Sequence, residues 1–266
     1  MQTTTRTDRA LILAAGLGMR LRPLTSEVPK TLIKVHGTPI LENALRQLAS
    51  CGVRDAAIVV GYRSEAIESA YGAHFHGMNL SYIRSSVFDR TGSAYSLWLA
   101  REFLAGDNCL LLEGDVFFER ALLTRLLRSD HPDVGAVAPM SAQLTGSAAT
   151  LDEHGRAREL RMNQTISDAA AEPLYKTINM YRFTAETLQR LLLPALDATI
   201  ARGTHGAYVE QVLSGLIHPQ GLQLGVVDCG DLNWFEIDSV EDLRIAERIF
   251  APAQPSAGGQ LAEQFA

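Results

Sequence analysis

LILAAGLGMRLRPLTSEVPK, residues 11–30, is the stretch from which the rest of the chain can be read. Leu11-Ile12-Leu13 opens it as a short apolar run, the pattern of a buried strand. Ala14-Ala15-Gly16-Leu17-Gly18 follows, with little bulk to keep a ligand off the backbone. Arg20 and Arg22 come next, Pro23 and Pro29 stiffen the loop, and Lys30 stands directly after the second proline. Small residues let backbone N–H groups approach anionic oxygens and form a nest for them. Arg offers a planar fork for phosphate, and Lys a compact point charge. The stretch reads as a strand that empties into a cationic loop suited to a polyphosphate.

Two better-known phosphate loops are excluded. The dinucleotide fingerprint needs a third glycine where this chain has Leu21, and no Gly-Lys-Ser/Thr stands at the offset a P-loop requires. A plain strand-to-helix loop with surface basic residues accounts for Gly16-x-Gly18-x-Arg20 but not for the whole run through Val28-Pro29-Lys30-Thr31-Leu32. That full run resembles the signature of the nucleotidyltransferases that make NDP-sugars and CDP-alcohols.

The chain has 266 residues, 47% hydrophobic and 20% charged, which is globular composition with enough length for a large core. Its net charge of −6 and lack of a Lys/Arg run exclude a basic nucleic-acid footprint. Cys51, Cys109 and Cys229 are odd in number, far apart and outside any CxxC pattern, which fits a reducing compartment. The polar start, Met1 to Arg9, lacks an apolar signal core, and no apolar run reaches membrane-spanning length. A cytoplasmic enzyme is the expectation, and a homodimer is one assembly the sequence leaves open.

Short apolar runs alternate with helical patterns through the first half of the chain. Strands are expected at Ala56–Val60, Leu80–Ile83, Cys109–Leu112 and Val134–Ala138, with a short extended piece at Thr31–Val35. Helices are expected after Pro39, over Arg63–Ala70, Tyr95–Leu104 and Val116–Leu127. This alternation predicts an α/β fold, a Rossmann-like, mostly parallel sheet flanked by helices. In such sheets ligands bind beyond the carboxyl ends of the strands, where the loop after Leu13 and Asp115 after Leu112 both fall.

The second half changes character. Ala148–Leu151 and Arg156–Met162 flank Asp152-Glu153-His154-Gly155 as a β-hairpin insertion. A strand at Lys176–Phe183 precedes a long helix, Thr184–Ala201, that Pro194 should divide. A helix at Tyr208–Leu216 and strands at Leu222–Val227 and Trp234–Ile237 follow. Ser239 then caps a helix over Val240–Phe250, with Glu241 and Asp242 in its first turn. One domain over residues 1–250 is expected, its acceptor side at about 145–235, with a poorly ordered tail over 251–266.

Carboxylates are the other half of the predicted site. Asp115, exposed at the sheet's edge, reads equally as a metal ligand or as the N-cap of a helix from Val116. Glu236 and Asp238 are two apart on a strand and share a face. Asp238 is also explained as a surface residue before the Ser239 cap. No Ser/His/Asp or Cys/His set offers a nucleophile, and His205 between Gly203 and Gly206 reads as a loop residue.

Gly114-Asp115 and Asp238 resemble the two places where this superfamily supplies its Mg²⁺ aspartates. Asn233-Trp234-Phe235-Glu236-Ile237-Asp238-Ser239 through Leu243 looks like the closing motif of phosphocholine and 2-aminoethylphosphonate cytidylyltransferases. Lys176-Thr177-Ile178-Asn179-Met180-Tyr181 and Gly92-Ser93-Ala94-Tyr95-Ser96-Leu97 resemble that branch too. The resemblance spans nearly all of residues 9–250. It implies that Arg20 and Lys30 grip a triphosphate, and that Leu13, Ala14, Ala15, Gly16, Gly18 and Ser93 contact the nucleotide. It also implies that Asp115, Glu236 and Asp238 hold Mg²⁺. Where sugar-phosphate enzymes carry Glu-Lys-Pro, this chain has Arg161-Met162-Asn163-Gln164, which disfavours a sugar 1-phosphate acceptor.

The implied partners are CTP and a small phosphorylated or phosphonate acceptor. A cationic acceptor needs aromatic faces and a carboxylate, for which Tyr95, Tyr208, Glu210 and Trp234 are candidates, with Lys176 for its phosphorus group. Tyr208 and Trp234 are better explained by packing than by ligand contact, because aromatics mostly pack. The rival readings are the same chemistry on a sugar 1-phosphate with UTP, dTTP or GTP, and an inactive nucleotide-binding regulatory module.

Overall fold

A computed structural model describes residues 7–217 and 221–252. Its centre is a ten-stranded sheet whose middle is parallel. Arg9–Ala14 lies between Asp55–Val60 and Cys109–Glu113, parallel to both, and Met78–Arg84 extends the parallel set. The three central strands are apolar along most of their length because helices cover both faces, whereas Met78–Arg84, nearer the edge, alternates buried and exposed residues at its start. Ile12, Leu41, Leu45, Ile58 and Leu112 fill one side, and Leu11, Val59, Leu97, Leu111 and Leu213 the other. The mixed α/β architecture is the one the alternating pattern predicts.

Beyond Cys109–Glu113 the sheet continues as a mostly antiparallel wing. Tyr175–Phe183 pairs with Cys109–Glu113 through its second half and with the hairpin strand Gly146–Leu151 through its start. The hairpin partner is Ala157–Gln164. Asp133–Pro139 also pairs with Tyr175–Phe183 and carries Leu224–Asp228 parallel to it.

Two expected elements differ in type. Thr31–Val35 is a 3-10 turn, Lys30–Leu32, followed by the short strand Lys34–Val35. The helix expected over Val116–Leu127 begins only at Arg120; Val116–Phe118 is a strand, paired with Trp234–Glu236. Cross-strand pairing of Phe117 with Phe235 and Phe118 with Trp234 outweighs the helical spacing. The helix expected over Thr184–Ala201 is divided just ahead of Pro194, as expected. A π turn, Leu188–Leu192, precedes it, and Leu193–Ala201 continues with Pro194 in its first turn, where no N–H is needed. Residues 253–266 of the tail lie outside the described residues.

No helix among the described residues is long and apolar enough to cross a membrane. Cys109 and Cys229 are buried, and burial pushes both thiols up to about 12, whereas Cys51 is half-buried. A thiol reagent at pH 8 should therefore label Cys51 under native conditions and reach the other two only in denaturant. Rapid native labelling of all three, followed by absorbance, would contradict this packing.

Candidate active site

The carboxyl ends of Arg9–Ala14 and Cys109–Glu113 open into a cleft of about 540 Å³. Its floor is Leu13 to Arg20 with Lys30 and Thr31, one wall is Phe88 to Ser93, and the other is Glu113, Gly114, Asp115 and Asp238. All eight residues expected at the nucleotide, Ser93 included, line it. The Ser93 hydroxyl also accepts a hydrogen bond from the Val209 N–H, tying Ser93–Leu99 to Val209–Ile217.

The basic loop folds back on itself. Gly18 has φ +61°, and a Cβ there would stand 2.9 Å from the Lys30 Cβ, so glycine is needed for both conformation and space. Thr25 donates to the Gly18 carbonyl at 2.7 Å and closes the loop. Lys30 then leaves its 3-10 turn with a mostly buried side chain aimed at the acidic wall.

That wall comes from two distant segments. Antiparallel pairing sets Glu236 opposite Val116, and Ile237 N–H donates to the Asp115 carbonyl at 2.9 Å. Asp115 therefore sits in the turn that leads into strand Val116–Phe118, and the helix-cap explanation of it fails. Beyond Ile237 a capping box forms: Ser239 Oγ accepts from Asp242 N–H, and the Asp242 carboxylate accepts from the backbone N–H groups of Ser239 and Asp238. The cap fixes Asp238 at the entrance of helix Val240–Ile249.

Lys30 Nζ lies 2.8 Å from Asp115 Oδ2 and 2.5 Å from Asp238 Oδ1, and Arg20 reaches the other Asp238 oxygen at 2.7 Å. Burial works against the Lys30 charge, but Asp115 and Asp238 outweigh it and hold its pKa above the usual lysine value. Burial likewise disfavours the Asp238 charge, yet Lys30 and then Arg20 bring its pKa below the usual carboxylate range. Three segments far apart in sequence thus meet in one ion-paired cluster, as the residue pattern anticipates.

Glu113, Asp115 and Glu236 each place a carboxylate oxygen within 4.8 Å of the others. Burial raises the pKa of Glu113 well above normal, with further contributions from Glu210, Asp115 and Glu236; burial also raises that of Glu236. Asp115 Oδ1 is buried with no hydrogen-bond partner among the described residues. Hard oxygen donors, mutual repulsion and an unpartnered oxygen fit a small divalent cation. Glu113 was not among the expected ligands. Its signal was a carboxylate closing an apolar strand, overshadowed by Asp115 two residues on.

The acceptor candidates separate. Tyr208 is 53% exposed on the cleft rim, which removes the packing explanation for it. Trp234 is buried in the main core and does not line the cleft, so packing, not acceptor contact, is its role. Tyr95 packs against Trp98 and His205, away from the cleft lining. Lys176 and Glu210 are buried behind the acidic wall. Lys176 Nζ sits 2.8 Å from Glu236 Oε2 and donates to the Thr177 carbonyl at 2.7 Å; Glu210 accepts from the Tyr181 hydroxyl at 3.5 Å. Direct contact of either with an acceptor in the cleft is not what this arrangement provides. A lysine in a strand carries no sequence mark of which carboxylate neutralises it.

Residues 9–138 match the model of the family described as nucleotidyl transferase. The chain carries a nucleotidyl transferase domain. It is similar to the CMP-5'-(3-aminopropyl)phosphonate synthase of Streptomyces rubellomurinus, 35% identical over 245 residues that cover 92% of this chain and 39% of that protein. The chain thus spans about two-fifths of that relative's length. It is also similar to the 2-aminoethylphosphonate cytidylyltransferase of Lancefieldella rimae, 28% identical over 88% of this chain and 89% of the other. The solved CTP:phosphocholine cytidylyltransferase of Streptococcus pneumoniae shares the fold, with a TM-score of 0.74, 23% identity, and coverage of 91% of this chain and 98% of that one.

Proposed function

We propose that this nucleotidyl transferase moves CMP from CTP to a small phospho- or phosphono-alcohol or amine, in the cytoplasm, with release of pyrophosphate. The observation that carries it is the meeting of Lys30 and Arg20 with Asp115 and Asp238 in one cleft at the ends of the parallel strands. The phosphonate and phosphocholine relatives support the acceptor class.

An oxygen of the acceptor's phosphorus group bonds to the α-phosphorus of CTP. The bond from that phosphorus to the α–β bridging oxygen breaks, and its electron pair leaves with pyrophosphate. Both reactants are anionic, so the protein's task is positioning and neutralisation, with no protein nucleophile. Lys30 and Arg20, held over the cleft by Asp115 and Asp238, turn to the phosphates. The backbone from Leu13 to Gly18 lies against the nucleotide. Asp115, Glu236 and Glu113 would hold Mg²⁺, which would supply charge neutralisation on the triphosphate; Asp238, outside that cluster and paired with Lys30 and Arg20, would join them as those cations turn to the phosphates. Exposed Tyr208 offers its ring face to a cationic acceptor.

Pyrophosphate release should be fast with CTP and slow with UTP, dTTP or GTP across a panel holding phosphocholine, 2-aminoethylphosphonate, 3-aminopropylphosphonate and glucose 1-phosphate. Efficient turnover of glucose 1-phosphate would replace this acceptor class with sugar phosphates. No release with any pair would leave a nucleotide-binding module.

A further inference from the structure

Three buried side-chain polar atoms among the described residues have no hydrogen-bond partner: Thr31 Oγ1, Ser85 Oγ and Asp115 Oδ1. Two of the three, Thr31 and Asp115, belong to residues lining the same cleft. Asp115 is absorbed by the proposed cation site; Thr31 is not. Thr31 is 4% exposed and is the middle residue of the 3-10 turn that begins with Lys30. Its methyl side is packed: a Cβ on Gly114 would stand 3.1 Å from Thr31 Cγ2. The methyl group is thus placed against the Gly114 turn that leads to Asp115. A desolvated hydroxyl without a partner costs stability, and a valine of the same shape would avoid that cost. A hydroxyl kept at such a place is explained by a partner that arrives with the ligand.

We propose that Thr31 is a nucleotide-binding residue whose hydroxyl donates to an oxygen of the CTP triphosphate beside Lys30. This deepens the proposed function and rests on it. The hydroxyl is both a donor and small enough to share the phosphate with the adjacent ammonium. A hydrogen bond to a charged oxygen is among the stronger kinds, so its loss should be visible in affinity.

The test is calorimetric titration of CTP with Mg²⁺ into the full chain and into Thr31→Val and Thr31→Ser, with a thermal melt of each free protein. Thr31→Val should bind CTP about tenfold more weakly while melting no lower than the native chain. Thr31→Ser should stay within about twofold of native affinity. The pairing of weaker binding with undiminished stability is what a packing role does not produce. Native affinity in Thr31→Val would overturn the proposal, as would weaker binding accompanied by an earlier melt or by an equally weak Thr31→Ser. Failure of the native chain to bind CTP would instead remove the functional reading, and this proposal with it.

Discussion

Lys30→Met is expected to lower kcat/KM for CMP transfer by about 10³-fold, roughly 4 kcal/mol of transition-state stabilisation. The methionine keeps the length of the side chain and removes the charge that bridges Asp115 and Asp238. Lys30 is also the counter-ion of the carboxylates proposed to hold the cation. With it gone, those carboxylates repel each other and attract a free cation more strongly. Mn²⁺ alone, titrated by EPR, should therefore bind Lys30→Met more tightly than the native chain, although the variant is the slower enzyme. Unchanged Mn²⁺ affinity with full activity would separate Lys30 from the site.

The second large effect is expected at Asp115. Asp115→Asn keeps shape and volume and removes one negative charge. It should cut kcat by about 10²- to 10³-fold, with the fold intact by circular dichroism. Two observations set the size of this effect. One Asp115 oxygen holds Lys30 at 2.8 Å, and the other is buried and unpartnered. A single substitution therefore loosens the phosphate-facing ammonium and removes an oxygen suited to the cation. Steady-state pyrophosphate release measures the loss. A variant within tenfold of native kcat would show that Asp115 is structural.

Much of this site was legible in the sequence because its parts are local. A strand ending in small residues, prolines and a lysine declares a cationic loop without any tertiary information. Asp115 and Asp238 were legible as carboxylates at element ends, where polar groups face ligands and not the core. Features set by register were not legible. Val116–Phe118 has helical spacing and becomes a strand only because Trp234–Glu236 lies beside it. Trp234 and Glu236 share a strand, yet one packs into the core while the other faces the acidic cluster. Lys176, in a motif that resembles the cytidylyltransferases, reads from sequence as a cation for the acceptor's phosphorus group; its neighbour Glu236 accounts for it instead. Glu113 was hidden for the opposite reason, as the last residue of a run whose other members are all apolar.

The central claim is that a basic turn and carboxylates from remote segments act on one nucleotide. Calorimetric titration of CTP with Mg²⁺ into the native chain, Lys30→Met, Asp115→Asn and Asp238→Asn tests it most directly. One site per chain is expected in the native protein, weakened tenfold or more in all three variants. Native affinity in both aspartate variants would contradict the account.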